Sequence, residues 1–308
     1  MDIFTTMITP YAADGSVDLD TARKYVDFYF ESGIDGIFAV CQSSEIFYLS
    51  FEERRKLAHT VYARAKELEQ KSGRRFTVVS SGHVSDTLEA QAEELCAVWE
   101  AGTDALILIT NRLDPENEGD DVFLSNLEKL MAMLPPEAPL GLYECPYPYK
   151  RLVTSRILEY CVGTGRFRYM KDTCCDAAEI ARRTALLKGS GFRLLNANCQ
   201  TLLETLRAGA DGYCGIMCNF HPRLYAWLGK NYATDPRADY VQAVIGTIGF
   251  TEGGLPYPTT AKYHMGLCGI PTELISRSQA KPLTPYGKDC MRQMKLLTDR
   301  LEKELLLQ

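Results

Sequence analysis

The chain has 308 residues, 46% hydrophobic and 24% charged, the make-up of an ordinary globular protein long enough for a large core. A net charge of −6 offers no basic stripe for nucleic acid, and no run of about 18 apolar residues is present to span a bilayer. Met1 to Met7 carry no basic region ahead of an apolar run, so no signal peptide is expected.

Ile3 to Thr9 reads as a first strand, followed by a turn at Asp14-Gly15 and a helix over Leu19 to Glu31, with Ala22, Tyr25, Val26 and Tyr29 on one face. Gly36 to Cys41 is a second apolar strand. Ser50 followed by Glu53 forms a capping-box pattern at the start of the next helix. Phe76–Ser81, Ala105–Thr110, Leu140–Glu144, Phe167–Lys171, Phe192–Ala197 and Gly212–Met217 supply six more strands. Between and after them, helical patterns run over Thr87–Glu100, Asp121–Leu134, Ser155–Cys161, Asp176–Lys188, a segment ending at Ala208, and His221–Lys230.

Eight strand–helix alternations imply a parallel sheet with right-handed crossovers. Glycines at expected helix-to-strand turns (Gly33, Gly102, Gly163, Gly191, Gly209) favour an α/β fold of the closed (β/α)8 TIM-barrel type. No GxGxxG opens a βα unit, which weakens a dinucleotide-binding reading. Beyond about residue 232 the alternation ends, and Asp235–Phe250, Thr259–Leu267 and Thr284–Leu307 read as helices. The expected division is a barrel over 1–232 and a C-terminal helical extension over 233–308.

Eleven cysteines, an odd number with no CxxC or Cys/His cluster, read as reduced thiols of a cytoplasmic protein. Four histidines at no ligand spacing give no metal site, and no cofactor is expected.

A barrel presents its reactive groups at the C-terminal ends of its strands. Those ends read Thr9-Pro10, Cys41-Gln42-Ser43-Ser44-Glu45, Ser80 to His83, Thr110-Asn111-Arg112, Tyr143-Glu144-Cys145, Lys171-Asp172, Ala197-Asn198 and Cys214-Gly215. The set holds one lysine, one tyrosine and a hydroxyl-rich turn, with no paired carboxylates and no Ser-His-Asp arrangement. A lysine ending a buried strand is costly as an ammonium. Burial lowers a lysine pKa from about 10.4 and yields an amine able to form a Schiff base with a ketone. Solvation of Lys171 is the bland alternative.

These motifs, in this order, resemble the dihydrodipicolinate synthase/N-acetylneuraminate lyase superfamily of pyruvate-dependent class I aldolases over nearly the whole chain. Thr9-Pro10-Tyr11 with Asp14 to Asp18 is similar to the family's opening. Cys41 to Glu45 with Leu49 to Arg54 resembles its Gly-Thr/Ser-Thr-Gly-Glu turn and following helix. Tyr143-Glu144-Cys145-Pro146 resembles the Tyr-Asn-x-Pro strand, and Met170-Lys171-Asp172 the Schiff-base strand, with the family's separation of 28 residues (171 − 143). Gly209 to Gly212 and Pro282 to Pro285 match further stretches.

The resemblance implies that Lys171 attacks the C2 carbonyl of pyruvate or another 2-oxo acid, and that Tyr143 shuttles the proton. It places Gln42 and Ser43 against the substrate carboxylate, at a turn whose backbone N–H groups favour an anion if it opens a helix. Ala197 would contact substrate through its carbonyl, with Cys214 nearby, and Glu45 would be buried and structural. It further implies a homotetramer.

Departures limit what is inherited. Cys41 and Ser44 replace two glycines of the turn. Pro148 stands where the synthases carry an arginine for a second carboxylate. Asn111-Arg112-Leu113 replaces the segment that holds their tyrosine after strand four. Glu144 replaces an asparagine, and Asn198-Cys199 replaces the sugar-gripping pair of the sialic acid lyases. Synthase activity is therefore not expected. Arg112, Lys150 and Arg151, in top-face loops, are candidate contacts for an acidic substrate. The leading reading is a lyase that makes or breaks a C–C bond of a 2-oxo acid. A hydro-lyase acting on a hydroxylated 2-oxo sugar acid, or a 2-oxo-acid-binding protein without turnover, are the alternatives.

Overall fold

The computed structural model describes residues 1–252, 254–278 and 281–306, with the side chains of 251 and 252 excepted. Its parallel strands are β1 (Asp2–Thr6), β2 (Gly36–Phe38), β3 (Thr77–Ser80), β4 (Ala105–Ile109), β5 (Leu140–Tyr143), β6 (Phe167–Asp172), β7 (Arg193–Asn196) and β8 (Gly212–Gly215). They pair in sequence order, and β8 returns to β1, closing a barrel. Helices α1 (Leu19–Glu31), α2 (Phe51–Ser72), α3 (Leu88–Ala101), α4 (Asp120–Met133), α5 (Ser155–Thr164), α6 (Ala177–Leu187), α7 (Leu202–Arg207) and α8 (Pro222–Asn231) alternate with them, as the pattern predicts.

The sequence explains most helix starts. Asp18, Thr87, Thr154 and Asp176 each accept a backbone N–H of the first turn, and Ser50 with Glu53 completes the predicted capping box of α2. Four of the five predicted glycine turns hold. Gly163 instead lies inside α5, and Gly165, at φ 67°, ends that helix in the left-handed conformation a side chain disfavours.

Strands β1 and β2 are shorter than expected at their C-terminal ends. There the chain turns to side-chain partners: Ser44 Oγ donates to the carbonyls of Met7, at 2.7 Å, and Ala39, and Thr9 Oγ1 donates to Ser44 O at 2.7 Å. Cys41–Glu45 does not open a helix. It forms a 3-10 turn over Gln42–Ser44, a left-handed Glu45 at φ 61°, and a second turn over Ile46–Tyr48, so α2 begins only at Phe51.

Residues 238 onward form α9 (Ala238–Glu252), α10 (Thr259–Leu267) and α11 (Pro285–Leu306). The last helix was expected to reach Leu307, which lies outside the described residues. α9 packs on α7 and α8, α10 on the turn after β8, and α11 on α8 and α10. The extension is also bolted to the barrel end at which the strands terminate. Lys262 Nζ, in α10, meets Glu45 Oε1 at 3.0 Å, and Glu45 Oε2 accepts from Ser276 Oγ and the backbone N–H groups of Arg277 and Ser278. Among the described residues no helix is long and apolar enough to cross a membrane.

Candidate active site

Lys171 and Tyr143 face each other in register on β6 and β5. Side chains alternate across a strand, so both point into the barrel while Asp172 and Glu144 point out beneath the helices. Lys171 is 8% exposed and has no ion pair among the described residues. Its Nζ lies 4.1 Å from the centroid of the Tyr143 ring and 5.8 Å from that of Phe38. An aromatic face is a weaker substitute for water than a carboxylate.

The Tyr143 hydroxyl donates to Gln42 Oε1 at 3.1 Å, joining the β5 end to the turn after β2. Burial raises the Tyr143 pKa well above its ordinary value, with the Cys145 and Cys41 thiols adding to the effect, so the phenol holds its proton. Ser43 Oγ donates to Thr6 Oγ1 at 3.0 Å. Glu45 is buried and bonded to the C-terminal segment, the structural role expected of it. Burial alone raises its carboxyl pKa, yet Lys262 and the surrounding donors outweigh that and leave it lowered.

Behind the strands that carry Tyr143 and Lys171 lies a buried ionic cluster. Arg183, on α6 and 2% exposed, bonds Glu144 Oε1 at 2.8 Å and also Asp172 Oδ2. Glu144 additionally accepts the backbone N–H groups of Val153 and Thr173, both at 2.8 Å. Burial, then the nearby Asp172 charge, raises the Glu144 pKa to about 7. The departure from asparagine thus has a structural reason: a carboxylate spans the loops after β5 and β6 and fixes the strands carrying Tyr143 and Lys171.

A cavity of about 480 Å³ opens above Lys171. Gln42, Ser43, Tyr143, Lys171 and Ala197 all border it. Cys214 does not. It lies lower, among the packed side chains of the barrel interior with Leu195 and Tyr169, and burial pushes its thiol up to about 12. Gly215 and Ile216 border the cavity on that side instead. Asn198 and Cys199 do not border it; Asn198 folds back to accept from the Thr201 N–H.

The loop cations have internal partners. Arg151 binds Asp114 and Asp120 at 2.7 and 2.8 Å, Arg112 binds Asp86 at 3.2 Å, and Lys150 Nζ donates to Thr173 O at 2.7 Å. Asn111 donates to the carbonyls of Cys145, Tyr147 and Tyr149 and holds the loop after β5. Sequence reasoning missed the far wall altogether: Tyr257, Pro258 and Ser278 come from the extension, and Phe47, Tyr48 and Tyr147 form the mouth. Asn219 Nδ2 donates to the Tyr257 hydroxyl at 3.3 Å, and Ser43 and Thr6 also contact it. The Pro-Tyr-Pro run at 256–258 was the available signal.

Residues 1–70 match the model of the dihydrodipicolinate synthetase family. The chain is 24% identical to the 4-hydroxy-tetrahydrodipicolinate synthase of Methanothrix thermoacetophila, over 93% of its own length and 92% of the relative's. It is 23% identical to the putative 2-dehydro-3-deoxy-D-gluconate aldolase YagE of Escherichia coli, over 97% and 98% of the two chains. Among solved structures, YagE in complex with pyruvate superposes with a TM-score of 0.82 at 21% identity, covering 98% of each chain. The chloride-inhibited dihydrodipicolinate synthase of Acinetobacter baumannii, also complexed with pyruvate, superposes with a TM-score of 0.82 at 19% identity, over 97% and 98% of the chains.

Proposed function

We propose that the chain is a lyase of the class I aldolase type, like the dihydrodipicolinate synthase relatives it resembles, and that Lys171 is its Schiff-base residue. The supporting observation is a buried lysine that has no ion pair among the described residues, borders a cavity and faces a phenol. In this reading the Lys171 amine adds to C2 of pyruvate, and the carbinolamine takes up a proton and loses water to give a protonated imine. Loss of a C3 proton yields an enamine, whose C3 attacks an aldehyde carbon. Tyr143 gives its proton to the new alkoxide and is reprotonated from solvent in the cavity; in the cleavage direction the same transfer runs in reverse. Water then hydrolyses the imine and frees Lys171.

Gln42 and Ser43 are assigned to the substrate carboxylate and the Ala197 carbonyl to the substrate's far side. Cys214 supports Lys171 from beneath. The barrel 1–232 and extension 233–308 act as one unit in this reading, because Tyr257 and Ser278 border the same cavity. A cytoplasmic homotetramer, without nucleic acid, membrane or cofactor, completes the proposal on the resemblance alone; sedimentation tests the assembly.

Pyruvate with borohydride followed by mass measurement is the decisive experiment. A stable adduct at Lys171, absent from Lys171→Ala, is expected; an unmodified protein overturns the reading. Product analysis with 2-oxo acids then separates aldol cleavage from loss of water through the same imine.

A further inference from the structure

The cavity has a polar floor and an aromatic mouth, and the mouth bears on the second substrate. We propose that the aldehyde attacked by the pyruvate enamine is uncharged and carries an aromatic or flat apolar group seated against Phe47 and Tyr147. This rests on the Schiff-base reading above.

Two observations carry it. The first concerns charge. Among the described residues bordering the cavity, Lys171 is the one cation, and the imine uses its nitrogen. Glu45 is committed to Lys262. Around the rim, Arg151 lies between Asp114 and Asp120, Arg277 binds Glu53 at 2.7 Å, and Arg112 binds Asp86 while lying 5.5 Å from the Phe47 ring centroid. Lys150 already donates to the Thr173 carbonyl. An aldehyde bearing a carboxylate or phosphate would lose its water and find no dedicated counter-ion.

The second observation is shape. The Phe47 and Tyr147 rings meet at 4.9 Å between centroids, tilted by 59°, and Tyr147 is 51% exposed. Pro146, Ile216 and Pro258 extend the apolar surface. Such a surface favours a flat ring over a polyhydroxylated chain. A cavity of about 480 Å³ leaves room beyond the three carbons of pyruvate.

The step balances without an oxidant or reductant. The enamine C3 forms a bond to the aldehyde carbon, the carbonyl π pair moves to oxygen, and Tyr143 protonates it. Hydrolysis releases a 4-hydroxy-2-oxo acid.

The test offers the intact protein pyruvate with benzaldehyde, butanal, glyceraldehyde or succinic semialdehyde, after borohydride trapping has established whether the pyruvate adduct forms. We expect kcat/KM for benzaldehyde to exceed that for succinic semialdehyde by about tenfold or more. Tyr147→Ala and Phe47→Ala should each reduce the benzaldehyde-to-butanal ratio of kcat/KM by about fivefold. Preference for glyceraldehyde, an unchanged ratio in both variants, or an adduct with no use of benzaldehyde overturns the inference and leaves the Schiff-base reading standing. Preference for succinic semialdehyde that is lost in Lys150→Ala would also overturn it, and would assign Lys150 to a second anion. No adduct defeats both readings.

Discussion

Two lysines are buried at the same end of this barrel, and each sits over a tyrosine ring: Lys171 at 4.1 Å from Tyr143 and Lys262 at 4.3 Å from Tyr11. They differ in what else they meet. Lys262 is fully buried, paired with Glu45, and also donates to the Ile275 carbonyl. Burial lowers its pKa, and the Glu45 carboxylate partly restores it. Lys171 keeps its ring and a cavity but has no ion pair among the described residues. The first arrangement fixes a cation as part of the architecture. The second leaves a nitrogen free to form a covalent bond.

The widest break in this comparison is expected from Lys171→Ala. It should abolish the pyruvate adduct and turnover, while the thermal midpoint stays within a few degrees of wild type, because the truncated group borders a cavity. A measured loss of folding would place Lys171 with Lys262 as a structural cation. Next is Tyr143→Phe, which keeps the ring face under Lys171 and removes the proton. Its kcat should fall by roughly 10²–10⁴; a fall under about threefold would remove the proton-transfer role.

Lys262→Met inverts the pattern. It leaves Glu45 buried opposite an apolar chain and should cost about 3–5 kcal/mol in urea unfolding. Equal stability of the Lys171→Met and Lys262→Met proteins would show that Glu45 does not distinguish the two sites. A further effect is expected from acid, acting on buried histidines. His83 accepts the Ile109 N–H at Nε2 and shares Nδ1 with Gln91, so a second proton would break the bond at the end of β4. Burial, the largest cause, lowers His83 to about 4 and His221 and His264 to about 3. Unfolded histidine takes up protons below about 6.5, where the folded chain refuses them. Stability should therefore fall as pH drops from 6.5, by roughly 1 kcal/mol per unit for each such histidine, until the folded values are reached. Urea midpoints measured between pH 7 and 5 check it, and His83→Gln should flatten the slope.

The sequence made the facing pair legible because a closed barrel confines its candidate reactive groups to eight short segments. Lys171 and Tyr143 were each alone of their kind among those strand ends, so the list of candidates was short. Gln42, Ser43 and Ala197 lie at those same strand ends, were singled out by the family resemblance, and border the cavity. Cys214 shows its limit: one residue of difference along a strand separates the cavity wall, at Gly215, from the packed interior. Glu144 was noticed only as a departure, since nothing local says that Arg183, far along the chain, will meet it. Ser278 was invisible for a related reason, and Tyr257 was marked only by its flanking prolines. Helical periodicity predicts that residues beyond 232 form helices and is silent on where those helices dock.

The bolt between Glu45 and Lys262 spans 217 positions of the chain. During synthesis the eight strands are complete once β8 has left the ribosome, yet the far wall waits for Tyr257 and Ser278 and Glu45 waits for its cation. A nascent barrel is thus a container without its rim. The pocket first becomes whole only after Ser278 has been made, well after the last strand.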